Sequence, residues 1–168
     1  MKKNDFIEKV LPLKNKLFRI ALRILNDFDE AEDAIQEVYI RLWNNLEKLT
    51  SSSHLEAMAV TMTRNYCIDL KRKKKFTFFD LNEQIEQHFA STPEKEFFNN
   101  EIYNLLHKAI DDLPENQKLA IQLKDIEGLS LDEIANIMQI TNGNLRVLLS
   151  RARNKLKTLL KTKYKVEL

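Results

Sequence analysis

The chain has 168 residues, 43% hydrophobic and 31% charged, which is enough apolar material for one domain or two small ones. Two glycines and three prolines are too few for the frequent turns of a β-sandwich or barrel, so an all-α fold is expected. The single cysteine and three scattered histidines form no disulfide or metal-ligand pattern, so we expect neither a metal nor a cofactor. The start lacks the apolar run of a signal peptide, and no stretch approaches the ~20 apolar residues of a membrane span. We therefore expect a cytoplasmic protein without direct membrane insertion.

The net charge of +2 conceals three segregated blocks of charge. Residues 27–37 contain six acidic residues and no basic one, and residues 71–75 read KRKKK. Residues 146–165 contain eight basic residues and no acidic one. Because local charge rather than net charge attracts a partner, the basic blocks suit nucleic acid. The acidic block would repel DNA, so its expected partner is a protein.

Three helices are predicted in the N-terminal part of the chain. The first has an apolar face over residues 6–24 and should kink or restart near Pro12. A capping box that begins at Asp29 starts the second, which ends near Leu46, and one at Ser53 starts the third, which runs into KRKKK. The residues expected to face inward in the second and third helices are Ala34, Ile35, Val38, Leu42, Leu46, Leu55, Ala59, Met62, Tyr66 and Leu70.

A linker is predicted between two small helical domains. Residues 76–93 are acidic, rich in phenylalanine and without a clean helical period, so they are expected to join a domain at 1–75 to a domain at 94–168. Fully extended, a linker of about 20 residues spans at most ~70 Å. That length is about two turns of B-DNA, so the two domains could contact one duplex at separate sites.

Four helices are predicted in the C-terminal domain. The first covers 94–112, the second runs from Pro114 to Gly128, the third starts with a capping box at Ser130, and the fourth starts at Thr141. Residues expected to face inward are Phe98, Ile102, Leu105 and Ala109 in the first helix and Leu145, Leu148, Leu149, Ala152, Leu156 and Leu159 in the fourth.

Residues 130–153 read as helix, tight turn and helix, which is the pattern of a helix-turn-helix. In that motif the start of the second helix meets base edges, where asparagine can pair with adenine and arginine with guanine. The residues in base-reading positions are Asn142, Asn144 and Arg146, and those in position for phosphates are Ser150, Arg153 and Lys157. An ordinary helix hairpin with a basic end would show the same pattern, and Gln139 stands where such motifs often have glycine.

The two other charged blocks each have two interpretations. KRKKK at 71–75 either contacts phosphates or is a solvated helix end. The acidic helix is either a solvated face or a protein interface. Its outward Asp33, Gln36 and Glu37 lie near Trp43, and tryptophan is common at the centre of interfaces.

Three segments resemble motifs of bacterial RNA polymerase sigma factors. The core-polymerase-binding motif is similar to AEDAIQEVYIRLW, and the end of the promoter-melting helix is similar to TRNYCIDLKRKKK. The C-terminal DNA-reading domain resembles LPENQKLAIQLKDIEGLSLDEIANIMQIT with LSRARNKL. The family pattern R-N-x-x-x-D-x-x-R matches Arg64, Asn65, Asp69 and Arg72. The order and spacing resemble the extracytoplasmic-function (ECF) group, which keeps only the sigma-two and sigma-four domains.

The resemblance implies a factor that binds core RNA polymerase and directs initiation at promoters, and that an anti-sigma factor holds inactive. It implies contacts with both double- and single-stranded promoter DNA. The implied contacts with core polymerase are Asp33, Gln36, Glu37, Tyr39, Arg41 and Trp43. Those implied for the minus-ten element are Arg64, Asn65, Lys71, Arg72, Lys73 and Lys74. Those implied for the minus-thirty-five element are Thr141, Asn142, Asn144, Arg146, Ser150, Arg153 and Lys157.

The chain departs from the family pattern at Met58, where the family commonly has an aromatic residue, often tryptophan. Either the protein opens promoters with fewer stacking contacts, or Tyr66 or the phenylalanines at 76–79 supply the base stacking instead. Asn65 and Asp69 fit buried structural positions as well as they fit DNA contacts.

Two other classes of function remain as alternatives. A free-standing helix-turn-helix regulator would use residues 130–153 but would leave the acidic helix and the linker without a role. An enzyme is disfavoured, because the sequence has no glycine-rich phosphate loop, metal-ligand cluster or nucleophile–base pair. No small-molecule substrate is therefore expected.

Overall fold

The structure, a computed structural model, describes residues 2–46, 54–79 and 101–167, and every regular element within these ranges is helical. The all-α prediction is confirmed. The chain divides into two compact units, Met1–Ala90 and Ser91–Leu168. The capping box expected at Ser53, the linker residues after 79, Phe98 and the start of the helix predicted from 94 lie outside the described residues.

A four-residue helical segment at Lys2–Asp5 begins the described part of the N-terminal unit, and three longer helices follow there: α1 (Lys14–Leu25), α2 (Phe28–Asn44) and α3 (Leu55–Phe79). Each packs against the other two, so their apolar stripes meet in one core. Small side chains among the core residues allow the helix axes to approach closely. The completely buried core residues of these three helices are Leu17, Ile20, Ala21, Ala31, Ala34, Val38, Leu42, Ala59, Val60 and Cys67.

The restart predicted at Pro12 is confirmed. Proline has no N–H and its ring clashes with the preceding turn, so it cannot continue a regular helix. The chain forms a π-helical turn at Phe6–Val10 and a 3-10 turn at Leu11–Leu13, and α1 begins at Lys14. These two turns form an irregular helical lead that packs onto α2 through Phe6, whose ring contacts two aromatic rings of that helix.

The predicted start of α2 is wrong by two residues. Asp27, not Asp29, is the N-cap: it has an extended backbone, and its carboxylate accepts a hydrogen bond from the N–H of Glu30 at 2.9 Å. Asp29 and Glu30 then lie in the first turn, where negative charge favours the positive end of the helix dipole. Several acids in succession offered more than one possible cap.

α3 differs from the prediction in its buried face and in its end. Val60, Thr63 and Cys67 are fully buried beside Ala59, and the Thr63 hydroxyl is satisfied by donating to the Ala59 carbonyl at 2.9 Å. The helix continues to Phe79 instead of ending in KRKKK. Expected core residues that are only half-buried are Leu55, Met62, Tyr66 and Leu70. The core therefore contacts the side of α3 that carries Ala59, Thr63 and Cys67. This side lies next to the stripe of larger side chains from which the buried face was predicted.

Between residues 101 and 167, the C-terminal unit has four α-helices: α4 (Glu101–Asp111), α5 (Glu115–Ile121), α6 (Leu131–Met138) and α7 (Asn142–Thr162). α7 packs against the other three, so it is the central element of this unit. The buried core residues include Ala109, Ile110, Leu119, Ala120, Ile121, Leu123, Ile134, Ile137, Leu145, Leu149, Ala152 and Leu160.

α4 is buried only near its end, and a π-helical turn follows α5. Ile102 was expected to face inward but is 62% exposed, because the buried residues of α4 lie only in its last turns. After α5 the chain forms a π-helical turn at Gln122–Ile126. Gly128 follows with φ +73°, which confirms the glycine predicted to end this helix.

α6 and α7 form the predicted helix-turn-helix. The capping box at Ser130 is confirmed: its hydroxyl accepts from the Glu133 N–H at 3.2 Å, and its own N–H donates to the Glu133 carboxylate at 2.9 Å. Ile134 of α6 and Leu145 of α7 are completely buried, and the small Ala135 is nearly so.

Gln139 ends α6 with φ +57° and ψ +44°, in the left-handed region that glycine adopts without strain. A Cβ in this conformation costs roughly 1–2 kcal/mol. Thr141 then caps α7 by accepting the Asn144 N–H at 3.2 Å. The turn therefore has the expected helix-turn-helix conformation although glycine is absent from it.

Tyr39 of α2 lies beneath the irregular lead. Its ring meets Phe6 edge-on at 5.7 Å between centroids, and Phe6 meets Trp43 in the same way at 5.2 Å. The Tyr39 hydroxyl is buried and has no hydrogen-bond partner among the residues that the structure describes. Burial raises the pKa of Tyr39 from 10.0 to about 12.

We expect Gln139→Gly to raise the free energy of unfolding by up to about 1 kcal/mol, because relief of left-handed strain exceeds the extra entropy of glycine in the unfolded chain. Urea unfolding followed by circular dichroism measures the change. Gln139→Ala is the matched control, since it removes the same side chain but keeps Cβ. Equal stability of the two variants would contradict the strain.

We expect Tyr39→Phe to raise the free energy of unfolding by up to about 1 kcal/mol near neutral pH, because it removes a buried hydroxyl that has no partner. Between pH 10 and about 12, unfolded wild type releases the phenolic proton while the folded chain retains it, so wild type loses stability there. The variant should lose less. Thermal unfolding near neutral pH and at about pH 11 tests this, and equal losses in both chains would contradict it.

Candidate interaction surfaces

The outward side of α2 carries most of the residues predicted to bind a protein. We call it the acidic face; it consists of Asp29, Asp33, Gln36, Glu37, Ile40 and Trp43. Because α2 turns Ala34, Val38 and Leu42 into the core, the residues three and four positions apart on the opposite side share this surface. Asp33 and Gln36 are exposed, Glu37 is half-buried, and Trp43 is 41% exposed.

Ile40 is the member of the acidic face that the sequence prediction missed. It is 56% exposed and lies between the turn of Gln36 and Glu37 and that of Trp43. An exposed isoleucine among acids and amides gives the face an apolar centre with a polar rim, which is the usual composition of a protein interface. Ile40 is four residues after Gln36 and three before Trp43, which places it on the same side of the helix. This spacing could have identified it from the sequence.

Tyr39 and Arg41 lie beside the acidic face and not on it. Tyr39 supports Trp43 from below through Phe6, as described above. The Nε of Arg41 donates to the Glu37 carboxylate at 2.9 Å, and its guanidinium lies 4.6 Å from the centroid of the Tyr66 ring of α3. The Arg41 side chain therefore links α2 to α3 through a cation–π contact.

The outward side of α3 forms a second surface, which we call the α3 face: Met58, Asn65, Asp69, Arg72 and Phe76. All five are exposed, so the interpretation of Asn65 and Asp69 as buried structural residues is wrong. Phe76 is 79% exposed and Met58 is 41% exposed. The helix thus presents an exposed aromatic ring beside its basic end.

The side chains of Phe78 and Phe79 lie outside the described residues, and the other two candidates for base stacking, Tyr66 and Phe76, differ in what already covers them. The Tyr66 ring is half-buried and carries the Arg41 guanidinium on its face. The Phe76 ring is exposed over most of its surface. Phe76 is therefore the better placed of the two to meet a base.

The basic residues of α3 divide between structural contacts and the α3 face. Arg64 is half-buried; its Nη1 donates to the Asn65 side-chain oxygen at 2.9 Å, and burial and then the charge of Arg72 lower its pKa. Arg64 therefore orients the Asn65 amide. Lys74 forms a close ion pair with Glu30 at the start of α2. Lys71 is half-buried, whereas Arg72 and Lys73 are exposed.

The outward side of α7 forms the third surface, which we call the recognition face: Gly143, Arg146, Val147, Ser150, Asn154 and Lys157. Arg146, Ser150 and Lys157 are exposed, as predicted. Val147 and Asn154 are exposed residues that the sequence prediction missed, and Val147, 49% exposed, lies at the centre of the face. The helical period counted from Ser150 would have found them, because Val147 is three residues before it and Asn154 is four residues after it.

The three predicted base readers do not share one side of α7. Asn144 lies roughly 160° around the helix from Arg146, so the two residues flank Val147. The Asn142 amide donates to the Asp132 carboxylate at 2.6 Å, and Asn142 is half-buried. Asn142 therefore ties α7 to the start of α6, while Thr141 is occupied as the N-cap.

Arg153 lies beside the recognition face and is held by an acid. Its Nε and Nη2 donate to the two carboxylate oxygens of Asp125 at 3.0 and 2.7 Å. With Lys124, Arg146 and Ser150, it lines a shallow hollow of about 360 Å³ that is open to solvent. Three cationic side chains around one hollow suit a phosphate group.

Comparisons with known proteins match the two units to two families. The Sigma-70 region 2 family model matches residues 10–77, and the Sigma-70, region 4 family model matches residues 103–156.

Within the described part of the chain, no helix is long and apolar enough to cross a membrane.

Individual relatives extend over most of the chain. RNA polymerase sigma factor SigZ of Bacillus subtilis is 31% identical over 81% of this chain and 76% of the relative. The ECF RNA polymerase sigma-E factor of Escherichia coli K12 is 30% identical over 74% of this chain and 70% of the relative. Among solved structures, the sigma factor RpoE of Bartonella quintana, in complex with the anti-sigma factor NepR, has a TM-score of 0.84 and 27% identity and covers 94% of this chain and 98% of that one. The order of the two matched regions and these relatives agree with the sequence motifs, and the chain belongs to the ECF group of RNA polymerase sigma factors.

Proposed function

We propose that the three surfaces divide the work of this ECF sigma factor between them. The protein binds core RNA polymerase and directs transcription initiation at specific promoters. We assign polymerase binding to the acidic face, capture of the single-stranded minus-ten element to the α3 face, and reading of the double-stranded minus-thirty-five element to the recognition face. The observation that carries this assignment is the acidic, apolar-centred surface on α2, because a free-standing DNA-binding regulator has no use for it.

The acidic face has the composition of a protein-binding surface. Ile40 and Trp43 are large apolar side chains left 56% and 41% exposed, and the exposed Asp33 and Gln36 precede them on the same side of α2. Negative charge repels DNA and attracts a basic protein surface. The edge-on contact of Phe6 with Trp43 holds the indole in place, which lowers the entropy lost on binding.

The α3 face has the composition of a surface for single-stranded DNA. An aromatic ring that stacks on a base contributes about 1–3 kcal/mol, and basic side chains track the backbone. Phe76 provides the exposed ring, and Arg72 and Lys73 provide exposed positive charge one turn before it. The Asn65 amide, oriented by Arg64, can hydrogen-bond a base edge.

The recognition face combines polar and apolar base contacts. Arg146 can donate to guanine, and the exposed methyl groups of Val147 can contact the methyl group of thymine. Ser150, Arg153 and Lys157 follow along the helix toward the phosphates. Asn142 and Thr141 contribute by fixing the start of α7, not by reading a base.

Two further parts of the proposal concern regulation and location. Bartonella quintana RpoE was solved with an anti-sigma factor, and this chain matches it over nearly its whole length, which supports control by an anti-sigma protein. Core polymerase and the chromosome are in the bacterial cytoplasm, so we place the protein there. Its work is binding and strand separation, without chemistry of its own.

Ile40→Ala should weaken binding to purified core RNA polymerase about tenfold, since truncating an exposed apolar residue at an interface centre costs more than 1 kcal/mol. Fluorescence anisotropy of labelled full-length protein, titrated with core polymerase, measures this change. Ile102→Ala is the matched control, because Ile102 is an isoleucine 62% exposed in the other unit. If both variants bind equally well, or wild type does not bind, the assignment of the acidic face is wrong.

Phe76→Ala should reduce the affinity of the holoenzyme for single-stranded DNA by about fivefold or more, the lower end of the loss of one base stack. Anisotropy with a fluorescent, sequence-randomised single strand measures the affinity. Tyr66→Ala is the comparison, because its ring is already covered by Arg41. A larger loss in Tyr66→Ala than in Phe76→Ala would transfer the stacking role to Tyr66.

A further inference from the structure

We infer that Asp125 is a positioning residue for promoter recognition: it holds the Arg153 guanidinium so that the remaining N–H groups of Arg153 face a DNA phosphate in the hollow beside the recognition face. This inference rests on the proposed role of α7 in binding duplex DNA. An acid beside a DNA-binding surface would ordinarily be expected to weaken DNA binding. The positioning role predicts the opposite, that Asp125 strengthens it.

The hydrogen bonds between the two side chains leave one edge of the guanidinium available. Arg153 Nε donates to Asp125 Oδ2 at 3.0 Å, and Nη2 donates to Oδ1 at 2.7 Å. A guanidinium carries five N–H donors in a rigid plane, and this side-on pair uses two of them. The other three belong to Nη1 and Nη2 at the end of the group. That end matches two phosphate oxygens at once.

The charges around Arg153 favour a bound phosphate in addition to the Asp125 carboxylate. The hollow of about 360 Å³ is also lined by Lys124, Arg146, Ser150 and Asn154. Lys124 is fixed there, since its Nζ donates to the Leu129 carbonyl at 3.1 Å. Three cations against one carboxylate leave the site positive, and the Ser150 hydroxyl and Asn154 amide add neutral donors.

Hydrogen bonds within the turn hold the backbone that carries Asp125. It lies in the π-helical turn Gln122–Ile126, where the Glu127 N–H donates to the Gln122 carbonyl at 3.0 Å. The Gln122 amide also donates to the Glu127 carboxylate at 2.9 Å, and both side chains are buried. A π-turn inserts one residue and so rotates the following side chains around the axis. The wide turn thus determines the direction in which Asp125 meets Arg153.

Orientation and charge predict opposite results for Asp125→Asn. If the acid only repels DNA, the isosteric amide removes that repulsion and binding tightens. If the acid orients Arg153, the amide supplies one acceptor in place of two, the guanidinium loses its fixed direction, and a phosphate contact weakens. An arginine that must be ordered on binding loses side-chain entropy that the ordered one has already lost.

The experiment uses the full-length chain and a fluorescent duplex enriched by the wild-type protein from a random double-stranded pool. We expect Asp125→Asn to weaken binding about fivefold or more, within the usual coupling of two contacting residues. The slope of log affinity against log salt should become shallower by about 0.9, the value of one phosphate contact. A fully structural role would not change that slope in protein shown to be folded by circular dichroism.

Two further variants complete the test. In an Arg153→Ala background, Asp125→Asn should cause no additional loss, because its effect acts through Arg153. Glu101→Gln is the matched control: it removes one exposed acid of α4, outside the hollow, and should leave affinity nearly unchanged. Tighter or unchanged binding by Asp125→Asn, or a further loss in the Arg153→Ala background, would overturn the inference. If the wild-type chain enriches no duplex at all, the proposed role of α7 fails instead.

Discussion

Each long helix of this protein can bury only one stripe of its surface, and this constraint determines where all three interaction surfaces lie. Completely burying a leucine-sized side chain is worth about 1.5–3 kcal/mol, whereas an exposed ion pair contributes about 0–1 kcal/mol. Burial of Val38 and Leu42 therefore decides how α2 is rotated. The acids of α2 are on the opposite side as a consequence. The same reasoning applies to α7, where Leu145 and Leu149 turn the recognition face outward.

Polar contacts then adjust this arrangement without determining it. Lys16 of α1 pairs with Glu56 of α3, and Lys74 of α3 pairs with Glu30 of α2. These pairs are only partly exposed and each contributes little, but both lie on α3 and oppose its rotation. The second pair also joins the basic and acidic blocks, so part of the charge segregation seen in the sequence is neutralised within the fold. Arg72 and Lys73 of the same basic block are exposed.

Features that depend on residues close together in the sequence could be predicted from it, whereas features that depend on residues far apart in the sequence could not. Helical periodicity, a local property, correctly predicted the buried stripe of α2, the burial of Leu145, Leu149 and Ala152 in α7, and the capping box at Ser130. It also placed Leu148, Leu156 and Leu159 of α7 in the core, but these three are only half-buried. It misplaced the buried face of α3, since two neighbouring stripes of that helix are apolar enough to be buried. It could not show that Asn142 and Arg153 pair with acids, because those acids lie 10 and 28 residues away in sequence. No local pattern shows such pairs.

Gln139 illustrates why conformation is a better guide to this motif than residue identity. Its left-handed backbone costs roughly 1–2 kcal/mol, less than the burial of Ile134 and Leu145 across the crossing of α6 and α7 contributes. Packing therefore imposes the turn on a residue that does not favour it. The orientation of α7 is then independent of the turn sequence, and Arg146 and Val147 are presented by the core of the unit. Selectivity for DNA can consequently change through the outward stripe of α7 without altering the fold beneath it.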